Sequence, residues 1–258
     1  MIVKEYASDS GHWYFQDGTP AYTIIGKNGK ERNTTLRDAR EHSLVPSVTT
    51  ILKVAASPGL ERWKQDQILM AALTLPKMEG ENEFDYIARI RQDAQEQGRK
   101  AADRGTEIHG LLEKWFMTPD CRIIKDLTTE EFDICFSTNQ EIDKWFNDQN
   151  WMPEKSFAHP IGFAGKVDLH SPEVVVDFKT KSFDADNLPK AYDDHVLQLA
   201  AYREGLGYPK ARCANVFVSV SVPGLVHIFE HSAEELERGL KMFLCLLDYW
   251  KIKNKYGC

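Results

Sequence analysis

Apolar residues recur at two different spacings along this chain of 258 residues. Spacings of three and four place side chains on one face of a helix and predict several long helices. A shorter helix is predicted after Ser47, which is a suitable N-cap. The long helices are predicted from Pro58 to near Pro76, over 81–117 with a break near Gly98, and over 128–147, 188–205 and 232 onward.

β-Branched and aromatic runs, which are typical of strands, occur in two groups. Residues 13–15 and 21–25 predict short strands, and a turn follows at 26–29. The second group is predicted at 151–154, across a hairpin at 165–179, and at 214–222 and 225–229. This order of elements predicts an α/β (α+β) protein with a mixed central sheet flanked by helices.

The predicted hairpin carries two aspartates and a lysine. Asp168 lies on the first strand, and Asp177 ends the second strand, whose buried run is 174–176. Lys179 lies on the same face as Asp177 because side chains alternate along a strand. A carboxylate pair suits Mg²⁺ or Mn²⁺, and the lysine can reach what the metal holds. The pattern outlines a phosphodiester-cleaving site, although an Asp-x-Lys pair can also be a surface ion pair.

Two predicted helices can add side chains to this hairpin. Gln198 and Tyr202 are spaced i, i+4 and share a helix face, either near the aspartates or as a pair at the rim of the core. His109 lies beside the apolar stripe of the helix over 81–117. This histidine is a metal ligand if its helix crosses the mouth of the hairpin, and a structural residue otherwise.

In order and spacing, these residues resemble the PD-(D/E)XK nucleases, and more narrowly the RecB-like exonuclease branch. The matching positions are His109, Glu154, Gly165 with Asp168, Asp177 with Lys179, and Gln198 with Tyr202. The phrase LVPSVTTILKV at 44–54 is similar to the entry of mitochondrial genome maintenance exonucleases and related phage nucleases. The resemblance implies a restriction-endonuclease-like core over 99–258, with N-terminal strands and helices over 1–98 packed over the site as one compact unit.

The resemblance also implies a role for each residue. Asp168 and Asp177 would hold one or two Mg²⁺ or Mn²⁺ ions, with the Phe178 carbonyl and His109 as further ligands. Lys179 would orient or deprotonate the attacking water, or stabilise charge in the transition state. Glu154 would bind metal directly or through water, or pair with Lys155 or Lys166. Gln198 and Tyr202 would hold the nucleic-acid strand or support Lys179, while Lys166 and Lys181 are candidates for phosphate contacts.

The implied function is a metal-dependent DNA exonuclease that hydrolyses phosphodiester bonds at ends or single-stranded flaps, in recombination, repair or replication. Its substrate would be single-stranded DNA or duplex ends, and a recombination or replication protein is a candidate partner. A recombination exonuclease on duplex ends and a structure-specific endonuclease are alternatives within the fold. A non-catalytic nucleic-acid-binding protein is the alternative from another class.

Composition narrows these expectations. Five cysteines without a CxxC pair or a C-terminal triplet predict neither a disulfide framework nor an iron–sulfur cluster. No apolar run approaches a membrane span, and the first residues lack the pattern of a signal peptide. The net charge of −7 disfavours general coating of nucleic acid but is compatible with a local channel. We expect a cytoplasmic protein of a bacterial or phage-infected cell.

Overall fold

Five strands form the central sheet of the computed structural model, which describes residues 11–55, 57–118, 127–147 and 150–257. They are β5 (Met152–His159), β6 (Phe163–His170), β7 (Val174–Lys181), β8 (Arg212–Ser219) and β9 (Val226–His231). The strands lie side by side in chain order. Neighbours are antiparallel except β7 and β8, which are parallel. The prediction of a mixed sheet is confirmed.

The described residues also form seven helices and four short strands. The helices are α1 (Leu36–Glu41), α2 (Val48–Leu52), α3 (Pro58–Thr74), α4 (Glu83–Met117), α5 (Thr129–Phe146), α6 (Asp193–Gly205) and α7 (Ala233–Asn254). The short strands β1 (Trp13–Tyr14) and β4 (Val45–Pro46) pair with each other, as do β2 (Thr23–Ile25) and β3 (Glu31–Asn33). No helix in the described part of the chain has the length and apolarity to cross a bilayer.

Helices cover both faces of the sheet because each face is apolar. One hydrophobic cluster joins α4 and α5 to β6, β7 and β8, with Leu112 and Val176 fully buried in it. The other joins α6 and α7 to the opposite face and includes Val48 and Ile51 of the N-terminal part. The N-terminal residues therefore share a core with the sheet, and the predicted flanking of the sheet by helices is confirmed.

Two helices begin where the sequence predicts, directly after the capping residues Ser47 and Ser232. Ser47 accepts a hydrogen bond from the backbone N–H of Thr50, as an N-cap does. Ser232 forms a capping box with Glu235 at the start of α7. Both predicted starts are confirmed.

Two predicted boundaries are wrong. α4 continues through Gly98 without a break, because a single glycine costs a helix only about 1 kcal/mol and Trp63 of α3 packs beside it. α6 begins at Asp193 rather than at 188. Pro189 disfavours helical backbone at Leu188, whereas Asp193 and Asp194 favour the first turn electrostatically. The division of the chain at residue 98 stays a prediction, and it falls inside α4.

Gly165 of β6 is required by close packing between the sheet and α6. A Cβ at this position would lie 2.7 Å from Cε1 of Tyr202 and 3.0 Å from the ring of Phe157. Tyr202 is itself buried, so it has little space into which to move. The glycine therefore allows the tyrosine ring to lie directly on the strand.

We expect Gly165→Ala to lower the free energy of unfolding by about 1–3 kcal/mol, because overpacking displaces the Tyr202 ring. Urea denaturation measures this change. Gly110→Ala on α4 is the matched control, since nothing lies within 4 Å of its Cβ position. The control is expected to stabilise the protein by about 0.4–1 kcal/mol. Equal effects of the two substitutions would contradict the packing argument.

Candidate active site

β6 and β7 separate at the position of the two aspartates. Their ladder contains only the pairs Leu169 with Val176 and His170 with Val175. In the same register the next pair would be Asp168 with Asp177, and there the backbone pairing stops. The side chain of Asp168 replaces a backbone acceptor at this point, since its Oδ2 accepts a 2.8 Å hydrogen bond from the backbone N–H of Phe178. The gap between the strands is thus held open by a carboxylate.

α4 brings His109 to this gap. Its Nδ1 lies 3.6 Å from Oδ1 of Asp168, and its ring meets the ring of Phe178 edge-on at 6.1 Å. Burial alone would lower the pKa of His109, but the negative charges of Asp168 and Asp177 raise it above its ordinary value. The pKa of the His109 imidazole is therefore raised by the two carboxylates of the predicted hairpin.

Asp177 is 2% exposed and forms the centre of a polar network on the α6 face of the sheet. Its Oδ2 pairs with Nζ of Lys179 at 2.7 Å, and its Oδ1 accepts from Nε2 of Gln198 at 2.9 Å. Gln198 also accepts from Lys179 at 3.0 Å and donates to the hydroxyl of Tyr202 at 3.0 Å. Gln198 therefore fixes the aspartate, the lysine and the tyrosine together.

The network continues through two residues that the sequence analysis missed. Asn215 is fully buried on β8, in register with Asp177, and its Nδ2 donates to Oδ2 of Asp177 at 2.8 Å. His231 of β9 donates from Nε2 to Oδ1 of Asn215 at 2.8 Å. An asparagine inside the otherwise apolar run 213–218 was the available signal, because a buried amide needs partners. His231 offered no comparable signal in the sequence.

Burial and mutual charge shift the pKa values of the three hairpin residues in different directions. Burial raises the pKa of Asp177, and Lys179 offsets only part of that rise. Burial opposes ionisation of Asp168 too, but His109, Lys179 and the Phe178 N–H bring its pKa below the ordinary value. Burial would lower the pKa of Lys179, yet Asp177 and Asp168 raise it overall. The lysine is therefore held in its charged form.

Glu154 adopts a left-handed backbone conformation, with φ of 57°. The β5–β6 ladder pairs Pro153 with Leu169 and Lys155 with Val167, so Glu154 lies opposite Asp168 without a regular backbone pair. Its side chain forms an ion pair with Lys166. Non-glycine residues in this conformation cost about 1–3 kcal/mol and cluster at functional sites.

The remaining predicted residues fall into two places. Lys166 borders a cleft of about 680 Å³ together with His109, Glu154, Asp168 and Tyr202. Lys181 lies elsewhere, with its Nζ 4.2 Å from the ring centroid of Tyr192. Tyr192 is half exposed at the start of α6. The cleft thus brings together five of the ten predicted site residues, while Asp177, Phe178, Lys179 and Gln198 lie behind its lining and Lys181 lies apart from it.

The donor types around the gap fit a hard divalent cation. The carboxylate oxygens of Asp168 and Asp177 and the Phe178 carbonyl suit Mg²⁺ or Mn²⁺. The imidazole nitrogen of His109 is a ligand type more typical of transition metals. The Phe178 carbonyl leaves the strand on the same side as the N–H that binds Asp168. No group of three or more His, Cys, Asp or Glu within the described ranges already has the closeness of a metal site. The oxygens of Asp177 are instead bound by Lys179, Gln198 and Asn215.

The cysteines lie apart from this site. Cys135 and Cys213 are buried free thiols, and Cys245 is exposed. Cys121 and Cys258 lie outside the described residues. The expected lack of an iron–sulfur cluster stays a prediction.

Comparison with known proteins finds only weak structural similarity. No family model and no curated protein matches the chain. One similar solved structure is the alkaline exonuclease LHK-Exo from Laribacter hongkongensis, at 12% identity over 80% of this chain and 91% of that one, with a TM-score of 0.34. Another is SSO0001, at 17% identity over 43% of this chain, with a TM-score of 0.26. The match spans 55% of the length of SSO0001. Both TM-scores are low, so neither structure indicates the function of this chain.

We expect Asn215→Leu to lower the free energy of unfolding by about 1–3 kcal/mol, because buried Asp177 loses a hydrogen-bond donor. Urea denaturation of this variant, and of two substitutions at His231, measures the network. His231→Gln keeps an N–H near the position of Nε2, so it is expected to lose less stability than His231→Leu. The network would be disproved as a stabilising element if His231→Gln and His231→Leu were equally unstable.

His195 of α6 gives the protein a stability that depends on pH. Burial, with Lys179, Lys181 and His231 nearby, lowers the pKa of His195 to about 3 from its ordinary 6.5. The unfolded chain therefore binds the proton first, and stability falls as pH drops from about 6.5 towards 3, by at most about 1.4 kcal/mol per pH unit. His195→Asn can still accept from the Tyr192 N–H but does not titrate. Melting temperatures at pH 5 and 7.5 should differ less in this variant than in the wild type. An unchanged difference would refute the assignment.

Proposed function

We propose that this chain is a metal-dependent DNA exonuclease that hydrolyses phosphodiester bonds at ends or single-stranded flaps. The observation that carries the proposal is a charged lysine fixed by Asp177 and Gln198 beside a strand gap that holds Asp168 and His109. Carboxylates, imidazole and a fixed cation are the groups that phosphodiester hydrolysis requires.

Asp168, Asp177, the Phe178 carbonyl and His109 would hold Mg²⁺ or Mn²⁺ at the gap. The bound ion would polarise the phosphate and lower the pKa of an attacking water. Asp177 must exchange donors from the network for the ion, since all its neighbours donate to it. Glu154, opposite Asp168 and paired with Lys166, is the further acid that would bind the ion through water.

Lys179 stabilises negative charge that develops on the phosphate in the transition state. Before an ion binds, Asp177 and Asp168 raise the pKa of Lys179 against the effect of burial, so the lysine starts as a cation, which suits charge stabilisation. If Asp177 held the ion, the ammonium group of Lys179 would be released from its ion pair and would be available to the phosphate. Its side chain is already 25% exposed, so the movement needs no opening of the core.

Gln198 and Tyr202 position the lysine and the aspartate. Sequence left two roles open for them, contact with the strand or support of Lys179, and their hydrogen bonds favour support. Burial raises the pKa of Tyr202, so its hydroxyl stays neutral and accepts the bond from Gln198. Gln198 would still donate a hydrogen bond to Asp177 after Lys179 had moved.

The finer parts of the proposal rest on the sequence resemblance to RecB-like nucleases. They are DNA as substrate, attack at ends, a place in recombination, repair or replication with a partner protein, and action in the cytoplasm of a bacterial or phage-infected cell. Lys166, which borders the cleft, and Lys181, which lies beyond it, are the proposed phosphate contacts.

Digestion of end-labelled linear DNA and of circular DNA, with Mg²⁺, Mn²⁺ or EDTA, tests this function. We expect metal-dependent loss of linear DNA only. Lys179→Ala should slow cleavage by about 10²–10³-fold, as removal of one transition-state charge contact does. Lys27→Ala, an exposed lysine in the β2–β3 turn, is the control and should cleave as the wild type does.

Other outcomes of this digestion would support one of the alternative functions. Cleavage of circles would identify an endonuclease, and selective digestion of duplex ends a recombination exonuclease. Binding of DNA without cleavage under every metal would leave a non-catalytic binding protein. Wild-type rates in Lys179→Ala would remove the lysine from the mechanism.

A further inference from the structure

The cleft beside Asp168 and His109 has a second wall, which the N-terminal part of the chain supplies. His12, Tyr22, Ser47 and Lys53 line this side, whereas α4 and the strands β5 and β6 line the other. The volume of about 680 Å³ lies within the range of about 300–1,000 Å³ that ligand sites occupy. The cleft therefore extends well beyond Asp168 and His109.

Charge is distributed unequally between the two walls. The acidic residues that line the cleft are Glu113 on α4, Glu154 on β5 and Asp168 on β6. Among the described lining residues, the N-terminal wall contributes no acid and one lysine, Lys53, whereas the lysine of the opposite wall, Lys166, is paired with Glu154. In a chain of net charge −7, the N-terminal wall is the less acidic side of the cleft and favours the approach of an anionic strand.

The N-terminal wall also presents aromatic rings. The exposed ring of His12 lies on Tyr22, with centroids 4.8 Å apart and planes at 35°. Tyr22 is held from behind, because its hydroxyl is 2.6 Å from that of Tyr14. Partial burial, together with the charges of Lys53 and Lys166, lowers the pKa of His12, so its ring is neutral at pH 7. A neutral ring supported by a second ring is a suitable platform for a nucleobase.

We propose that this wall is a nucleotide-binding subsite, in which Lys53 contacts a backbone phosphate and His12 stacks on a base of the strand being cleaved. The inference rests on the proposed nuclease function and adds to it the part of the protein that binds the nucleic-acid strand. The cleft is shared with Asp168 and His109, so a strand whose scissile phosphate lies at the gap places a neighbouring nucleotide against His12. The N-terminal part is then a substrate-binding element as well as a part of the core.

Fluorescence anisotropy of a labelled single-stranded DNA 12-mer in EDTA, at 50–200 mM salt, measures this contact without cleavage. Each phosphate contact contributes about 0.7 to the slope of log affinity against log salt for single strands. Lys53→Met should therefore weaken binding and reduce the slope by about 0.7. Lys27→Met carries the same charge change on the same N-terminal segment, away from the cleft, and should match the wild type.

Stacking is tested separately at His12. His12→Ala should weaken binding about fivefold or more, as loss of one base–aromatic stack does. His12→Phe keeps a ring and should restore most of the affinity. Because both residues are exposed, wild-type melting temperatures are expected for all of these variants. A loss in His12→Phe equal to that in His12→Ala would overturn the stacking contact.

The outcomes separate this inference from the proposed function. A wild type that cleaves DNA while Lys53→Met and His12→Ala bind as it does would overturn the subsite alone. A wild type that binds through these residues but never cleaves would overturn the nuclease proposal and support the subsite. Absence of both binding and cleavage would overturn both.

Discussion

The separation of β6 from β7 is the constraint on which the rest of this site depends. A ladder that continued past Leu169 and Val176 in the same register would place Asp168 opposite Asp177 and Phe178 opposite Val167, so that β6 backbone would bind the N–H of Phe178. The carboxylate of Asp168 satisfies that N–H instead, so the strands part without leaving a buried donor unpaired. The same bond fixes Asp168 at the edge of the gap, where α4 can bring His109 to it.

Asp177 shows how the fold stabilises a charge that burial opposes. Lys179, Gln198 and Asn215 come from β7, α6 and β8, and each directs an N–H group at this carboxylate. An ion pair alone offsets desolvation poorly, whereas a fully hydrogen-bonded network can do so. The network therefore ties the position of one side chain to the packing of three elements.

Much of the fold could be predicted because local patterns determine it. The apolar spacing of α4, α5 and α7, the run Val174–Val176 and the capping residue Ser47 all act over a few neighbouring positions. The site could be predicted only in part. The end of the β6–β7 ladder and the contact of Asn215 with Asp177 depend on residues that lie far apart in the chain. The start of α6 and the continuity of α4 differ from the prediction because Pro189 disfavours helix before it, whereas a single glycine, Gly98, is tolerated inside a long helix.

α4 has 35 residues and so spans about 52 Å at 1.5 Å per residue. His109 lies in its last third, against the sheet, while its first half packs along α3, where Trp63 lies beside Gly98. The buried residues Ile108 and Leu112 fix the second half of α4 against the sheet. One uninterrupted helix thus joins the contact with α3 to the imidazole that faces Asp168.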